Sequence, residues 1–163
     1  MTTKDTIGRQ RRGRSIAMTA DEVDSFLTVE KTCRVATVDG DGSPHVSPLW
    51  FVWQGGCLWL NSIVRSQRWT DLHRDPKTAI VVDGGAQFSE LHGIEIRGTA
   101  ESVGDVPRGR SHDAALADVE LEFARKYTGT DQFVADGRHA WLRVTPTSIV
   151  SWDFRKNRAL TGR

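Results

Sequence analysis

Cysteine is scarce in this chain of 163 residues, which contains only Cys33 and Cys57. Two isolated cysteines exclude a disulfide framework and a Cys-x-x-Cys metal site. Because both lie in apolar segments, we predict that they are small buried residues. The five histidines also lack the His-x-x-x-His spacing of a helical zinc site. The sequence therefore gives no support for metal ligation.

Long apolar runs and an excess of one charge are absent as well. No run reaches the roughly 18 apolar residues of a membrane span, and the N-terminus shows no apolar signal core. The chain carries 22 Lys+Arg against 21 Asp+Glu, a near balance that does not indicate a nucleic-acid partner. We therefore expect a cytoplasmic protein with no membrane partner.

The charge is unevenly placed, because residues 1–17 contain five basic residues and only one acidic residue, Asp5. Such an arm can contact nucleic acid, but a flexible, solubilising terminus is the commoner explanation. We predict a disordered basic arm at 1–17, one domain at 18–156 and a short tail at 157–163. Nucleic-acid binding through the arm remains a remote alternative.

Motifs of the commonest enzyme classes are missing too. The sequence has no Gly-x-Ser-x-Gly elbow, no Walker loop and no Gly-x-Gly-x-x-Gly fingerprint. Hydrolase, nucleoside triphosphatase and Rossmann dinucleotide functions therefore lose their support. Binding of a ligand in a groove remains as the general expectation.

Hydrophobic periodicity indicates a mainly β protein with flanking helices, an α+β fold. Thr19-Ala-Asp-Glu22 is a capping box that begins the first helix. The pattern predicts helices at 20–30, 66–75 and 111–127, and strands at 33–38, 44–53, 57–62, 77–83, 93–103, 138–145 and 148–154. Pro146 separates the last two strands. Six or seven short strands joined by tight turns favour a closed or partly closed antiparallel barrel.

The segment 58–77 carries the clearest functional signal, because a strand leads there directly into a helix. Ser66 is placed to cap the helix, which must end before Pro76. The first turn of a helix presents unpaired N–H groups, and Arg65 and Arg68 add positive charge. We interpret this turn as a phosphate site; the alternative is two solvated arginines on a surface helix.

Tryptophan is frequent, with six residues in the chain. Aromatic faces can sandwich a flat heterocycle, although a tryptophan in a strand is more often part of the core. Trp50 and Trp152 are the two candidates for contact with such a ligand.

Three segments, at 41–51, 62–76 and 150–155, resemble the pyridoxamine 5′-phosphate oxidase-like flavin and deazaflavin oxidoreductases, which have an antiparallel split β-barrel fold. The resemblance implies a set of cofactor contacts. Ser66, Gln67 and Arg68 hold the cofactor phosphate, Asn61 and Ser62 lie beside the ring system, and His45, Trp50 and Trp152 shape the pocket. It assigns no catalytic residue.

Two departures favour one branch of that family. His45 stands where the oxidases carry an arginine and Trp50 where they carry a lysine, whereas the run Pro-His-Val-Ser-Pro-Leu-Trp at 44–50 resembles the branch that uses deazaflavin F-420. The resemblance thus implies hydride transfer from F-420 to a small unsaturated or conjugated substrate. Arg65, Arg74 and Lys77 are candidate partners for the anionic tail of F-420.

The same resemblance implies a homodimer with the cofactor between the protomers. Two alternatives keep the fold. One is an FMN-dependent oxidase or reductase of the pyridoxamine-phosphate-oxidase type, and the other is a non-catalytic protein that binds a flavin or haem.

Overall fold

A computed structural model describes residues 13–157 as a closed barrel of six antiparallel strands with three flanking helices. The barrel order is β1-β2-β3-β6-β5-β4, and β4 pairs with β1 to close it. The strands are β1 (Thr32–Val38), β2 (Pro44–Gln54), β3 (Cys57–Ile63), β4 (Lys77–Gly84), β5 (His92–Val103) and β6 (His139–Asp153), and the helices are α1 (Ala20–Val29), α2 (Gln67–Arg74) and α3 (Ala117–Thr128). The predicted fold class is confirmed.

Both ends of the chain extend beyond the described residues. Most of the predicted basic arm, residues 1–12, and the tail from residue 158 onward lie outside them. Arg14–Ile16 forms a 3₁₀ turn, and the Met18 amide donates to the Ser151 hydroxyl of β6. Within residues 13–157 no helix is long and apolar enough to cross a membrane.

The first helix forms as its sequence predicts. The Thr19 hydroxyl accepts from the Glu22 amide, and the Glu22 carboxylate accepts from the Thr19 amide at 2.6 Å. This capping box satisfies two N–H groups that would otherwise lack partners. Val23 and Leu27 then lie one turn apart and are fully buried in the core of the barrel.

Helix α2 follows β3 and contributes to the same core. The Ser66 hydroxyl accepts from the Trp69 amide at 3.2 Å, so the predicted N-cap is confirmed. Trp69 and Leu72 are buried among the inward residues of the barrel, whereas Arg74 ends the helix before Pro76. The strand-to-helix turn is thereby fixed at one end of the barrel.

Alternation along the strands creates two separate apolar regions. Leu58, Leu60 and Ser62 of β3 point into the barrel, so Trp59 and Asn61 must point outward. On that outer face Trp59 forms a second buried cluster with Val52, Leu116, Val119 and Trp141. Helix α3 therefore covers the outside of the β2–β3–β6 wall rather than its interior.

The structure corrects the sequence-based prediction for the last strand. We predicted two strands separated by Pro146, but β6 runs unbroken from His139 to Asp153. Its register with β5 shifts between Arg97 and Gly98, which places Pro146 opposite Gly98 and skips Thr147. A proline fits at such a bulge because the irregular ladder does not require its missing N–H. Strand β6 therefore continues through Pro146, although a proline ordinarily ends a strand.

The third helix is shorter than predicted. The periodicity from 111 onward includes Leu116, but the helix begins only at Ala117. The Leu116 amide donates to the Asp113 carbonyl and the Ala115 amide to the Asp113 carboxylate, which makes a separate turn at 113–116. An aspartate that accepts from local backbone amides competes with helix formation.

Of the two cysteines, Cys33 is buried as predicted, whereas Cys57 is half-buried.

Candidate functional site

Arg68 lies in the first turn of α2, at the end of the barrel, and is only 5% exposed. Its Nε and Nη2 donate to the Ser62 hydroxyl, both at 3.3 Å, and its Nη1 donates to the Ser47 hydroxyl. No carboxylate lies within ion-pair distance of it among residues 13–157. Burial lowers the pKa of this guanidinium, and the nearby Cys33 opposes the effect. The structure thus holds a buried cation with neutral partners only.

A second polar group, centred on Asp71, adjoins Arg68 on α2. The fully buried Asp71 carboxylate accepts from the Thr37 hydroxyl and from Gln67 Nε2, both at 2.8 Å. His45 Nδ1 lies 3.4 Å from the same Thr37 hydroxyl. Burial raises the pKa of Asp71, but the two hydrogen bonds and the charges of Arg74 and His45 outweigh it, so the pKa is lowered. Asp71 is therefore an ionised residue that holds Gln67 in place.

The N-terminus of α2 retains free donors. The Ser66 hydroxyl is committed, because it donates to the Ile63 carbonyl at 2.8 Å and accepts from Trp69. The amides of Gln67 and Arg68 have no acceptor in the part of the chain that the structure describes. Arg65 is exposed on the preceding turn and forms no ion pair with any described residue. The predicted phosphate site at Arg65, Ser66, Gln67 and Arg68 therefore combines these free backbone donors with one exposed and one buried arginine.

Trp50 and Asn61 lie on the other side of the wall and line a cavity of about 490 Å³ that we call the outer cavity. The Trp50 indole stacks on the Tyr127 ring with centroids 4.3 Å apart and planes 8° apart. The remaining wall is mainly apolar and comes from β1, β2, α3 and the segment before β6. It comprises Thr32, Pro48, Leu49, Phe123, Phe133, Val134 and Ala135, together with the charged or titratable Arg108, Asp136 and His139.

Asn61 carries an unsatisfied polar group in this cavity. Its Nδ2 is buried but has no hydrogen-bond partner among the residues that the structure describes. An unpaired buried amide costs free energy, and so it marks a position where a ligand acceptor would be stabilised. Ser62, the next residue, faces inward, and its hydroxyl accepts a hydrogen bond from Arg68. The pair predicted to lie beside a ring is therefore split across the wall.

Sequence reasoning missed an acid–imidazole pair at the edge of the outer cavity. Asp136 Oδ2 lies 2.7 Å from His139 Nδ1, and the Asp136 Oδ1 accepts from the amides of Arg138 and His139. Burial raises the pKa of Asp136, but the bonds from Arg138 and His139 prevail and lower it to about 2. The only signal was an Asp-x-x-His spacing around Gly137, which matches no established motif.

Comparison of this chain with models of protein families identifies the family to which it belongs. A model described as pyridoxamine 5′-phosphate oxidase matches residues 19–153. The chain belongs to the pyridoxamine 5′-phosphate oxidase family. Its matched segment covers the barrel and all three helices. No protein of curated function shows a significant match.

Solved structures share the fold of this oxidase-family chain. A conserved hypothetical protein from Mycobacterium tuberculosis is 26% identical, with a TM-score of 0.78 over 91% of this chain and 92% of that one. An F420 reductase is 22% identical, with a TM-score of 0.57 over 77% and 94% of the two chains. The heme storage protein HutZ from Vibrio cholerae is 18% identical, with a TM-score of 0.62 over 80% and 93%. Similarity at the level of the last two shows the fold alone.

The remaining predicted residues of this oxidase-family chain lie elsewhere. Trp152 pairs with Gly93, whereas Ala140, at the other end of the same strand, pairs with Ser62. One copy of the chain therefore does not bring Trp152 to Arg68. Arg74 already donates to the Val38 carbonyl and lies 3.7 Å from Asp71, and Lys77 begins β4 after the other end of α2.

Proposed function

We propose that this protein is an oxidoreductase that uses a phosphate-bearing flavin-type cofactor, most favourably deazaflavin F-420, to reduce a small conjugated substrate. The observation that carries the proposal is Arg68, a guanidinium that is buried at the N-terminus of a helix and has no carboxylate partner among residues 13–157. In this proposal the phosphate lies at the start of α2 and the ring enters the outer cavity.

The residues at the start of α2 fit a phosphate chemically. A guanidinium has five N–H donors, and Arg68 uses three of them on Ser47 and Ser62. A buried cation without an anion is costly, so a phosphate beside it would be stabilised more strongly than one in water. The free amides of Gln67 and Arg68 and the positive end of the helix add to this preference.

The outer cavity fits a ring system. Its volume of about 490 Å³ falls within the roughly 300–1,000 Å³ of small-molecule sites. The Asn61 carboxamide, whose Nδ2 has no partner among the described residues, lines the cavity, and Trp50 offers an aromatic face supported by Tyr127. When bound, the cofactor supplies the hydride. The protein's own residues anchor the phosphate, orient the ring and exclude water.

The choice between F-420 and FMN depends on cations beyond the phosphate. Arg65 is exposed and without an ion pair among residues 13–157, so it is a free candidate for the anionic tail of F-420. Arg74 is engaged by Val38 and Asp71, which removes one of the predicted partners. FMN, which lacks that tail, is the alternative, and parallel titrations of the purified protein with both cofactors rank them.

A homodimer forms part of the proposal. Val46 and Trp50 on the outer face of β2 are 64% and 50% exposed, and Pro44 and Pro48 belong to the same outward row. An exposed apolar row of this kind is typical of a surface that a partner covers. A second copy is also what would bring a Trp152 to the cofactor site.

Replacement of Arg68 by Ala tests the phosphate anchor. We expect cofactor affinity to fall about ten- to a hundredfold, which corresponds to about 1.5–3 kcal/mol for a charge-assisted contact. Fluorescence titration of the six tryptophans with F-420 and with FMN measures the effect. The Arg68→Lys variant keeps the charge but loses the planar guanidinium with its paired N–H donors, so we expect an intermediate cofactor affinity.

Thermal melting separates this effect from misfolding, because Arg68 also joins Ser47 to Ser62. Arg65→Ala provides a matched control at an exposed arginine. It should weaken the binding of F-420 more than the binding of FMN. Folded Arg68→Ala protein with undiminished affinity for both cofactors would contradict the proposed anchor. Tight cofactor binding with no turnover of conjugated substrates would instead identify a non-catalytic carrier.

A further inference from the structure

Asp71 places a negative charge next to the proposed phosphate anchor. It is fully buried on α2, and its carboxylate accepts from the side chain of Gln67, the first residue of the helix, at 2.8 Å. Arg68 lies three positions before Asp71, and residues three or four positions apart on a helix are neighbours with Cβ atoms about 5–6 Å apart. An anion at the start of α2 would therefore approach this carboxylate as well as the Arg68 guanidinium.

The groups around Asp71 keep its carboxylate charged. The Thr37 hydroxyl of β1 donates to it at 2.8 Å, His45 of β2 lies on the far side of that hydroxyl, and Arg74 Nη1 from the last turn of α2 approaches to 3.7 Å. Burial raises the pKa of Asp71, but the hydrogen bonds from Thr37 and Gln67 and the charge of Arg74 outweigh it and lower the pKa. The negative charge is therefore present at neutral pH, and Arg74 is the cation that compensates it.

One buried positive charge is left for a ligand. Among residues 13–157 the buried arginines are Arg68 and Arg108, and Arg108 binds both carboxylate oxygens of Glu120 on α3. At the start of α2, Arg65 is exposed, so its charge is screened by water and salt. A buried site with one free cation and one neighbouring carboxylate matches a ligand with a single negative charge better than a ligand with two.

Phosphate groups differ in this respect. A phosphate monoester such as FMN has a second pKa of about 6, so it carries close to two negative charges at neutral and mildly alkaline pH. A phosphate diester has no second proton to lose and carries one. The difference of one charge matters in a buried site, because charges interact more strongly there than in water.

We propose that Asp71 is a specificity-determining residue, which makes the anchor select a singly charged phosphate diester over a doubly charged phosphate monoester. This inference rests on the function proposed above. It gives a physical basis for a preference for F-420, whose phosphate is a diester, over FMN. Arg68 attracts either phosphate, whereas the Asp71 carboxylate repels the second negative charge of the monoester.

Two ligands that differ by one charge test this role. They are FMN and the methyl ester of its phosphate, which share the ring and the ribityl chain. At pH 7.5 the wild-type protein should bind the methyl ester about ten times more tightly than FMN. In Asp71→Asn the affinity for FMN should rise about tenfold, while the affinity for the methyl ester should change less than about twofold. Titrations followed by tryptophan fluorescence give the dissociation constants.

Two controls separate the charge of Asp71 from its structural contacts. Asp71→Asn keeps the shape of the side chain, and its amide can donate to the Thr37 hydroxyl while its carbonyl accepts from Gln67. Asp75→Asn removes the same charge from the C-cap of α2, one turn further along the helix, and should leave the ratio of the two affinities unchanged. Thermal melting reports whether each variant is folded, and the ratio measured in the wild type depends on no variant.

The outcomes distinguish this inference from the proposed function. Equal affinities of the wild type for FMN and its methyl ester, or a parallel change of both in Asp71→Asn, would overturn the role of Asp71. The proposed function would still stand if F-420 binds and Arg68→Ala weakens that binding. If F-420, FMN and the methyl ester all fail to bind to the wild type and to Asp71→Asn, the proposed function is wrong and the role of Asp71 falls with it.

Discussion

Lys126 on α3 is a cation placed in an apolar environment. Its Nζ lies 4.1 Å from the centroid of the Phe51 ring and donates to the Leu27 carbonyl at 3.2 Å. Burial lowers the pKa of this lysine to about 8, against a weaker opposing influence of Cys33. The charged form is therefore penalised in the folded protein.

This penalty predicts a specific pH dependence of stability. In the unfolded chain a lysine has a pKa of about 10.4, so between pH 8 and that value the unfolded state binds more protons. The free energy of unfolding consequently rises with pH in this window, by at most about 1.4 kcal/mol per pH unit from this residue. Lys126→Met, which keeps the apolar stem, should lose that rise in urea unfolding at pH 7.5–10.

A comparison of two proteins isolates the effect. Burial raises the pKa of Cys33 to about 12 and also raises that of Tyr127, and these groups oppose the trend in both proteins. Lys77→Met, at an exposed position, should leave the profile of the wild type unchanged. Parallel profiles for wild type and Lys126→Met would contradict the penalty on the buried ammonium.

At the residue scale, the sequence predicted local contacts better than the directions in which side chains point. The cap at Ser66 follows from local rules, and the structure contains it. That Arg68 points to Ser47 and Ser62 depends on long-range packing. His139 was missed because its partner Asp136 lies in an irregular segment, where no periodicity marks the geometry.

At the element scale, the bulge between β5 and β6 depends on a glycine. A Cβ at Gly98 would lie 2.4 Å from the Thr145 carbonyl oxygen and 3.0 Å from Val144 Cγ1. Backbone atoms of a paired strand cannot yield as a flexible side chain does. Gly98→Ala should therefore destabilise the protein by about 1–3 kcal/mol, which is the usual cost of overpacking.

Chemical unfolding followed by tryptophan fluorescence measures this cost. Gly40→Ala is the matched control, because a Cβ there would meet only the far end of Arg74 at 3.5 Å. We expect the midpoint of Gly40→Ala to stay near that of the wild type. A shift of equal size in both variants would show that chain flexibility, rather than the close approach of β6, sets the need for glycine.

The elements whose signals are local were predicted well, and those shaped by tertiary contacts were not. The capping box at Thr19 and the strand-to-helix turn at Ser66 appear where expected. Pro146 was read as a strand break because a sequence does not show that a bulge will accommodate it. The start of α3 was predicted too early because Asp113 forms a turn that has the same apolar spacing as a helix.

At the scale of the whole molecule, the exposed row on β2 predicts association. Val46→Lys places a charge at a position that is 64% exposed in one copy and covered in the proposed dimer. Burial of that charge should weaken dimerisation by at least about tenfold. Size-exclusion chromatography with light scattering reports the change in mass.

Val29→Lys controls for surface charge, because Val29 is 72% exposed at the end of α1 and does not belong to the exposed row on β2. Its mass should match that of the wild type. A wild-type protein that is monomeric at all accessible concentrations would refute the proposed dimer and leave Trp152 without a route to the cofactor.

The alternation of side chains along β3 separates two tasks that a single strand performs. Ser62 faces the anchor at Arg68, and Asn61 faces the outer cavity. Substitutions at outward positions of β2, β3 and β6 can therefore reshape the cavity while the inward contacts stay intact. Under the proposed function, this arrangement lets the shape of the cavity diverge during evolution while the phosphate anchor is retained, whereas a one-residue shift of β3 would abolish both at once.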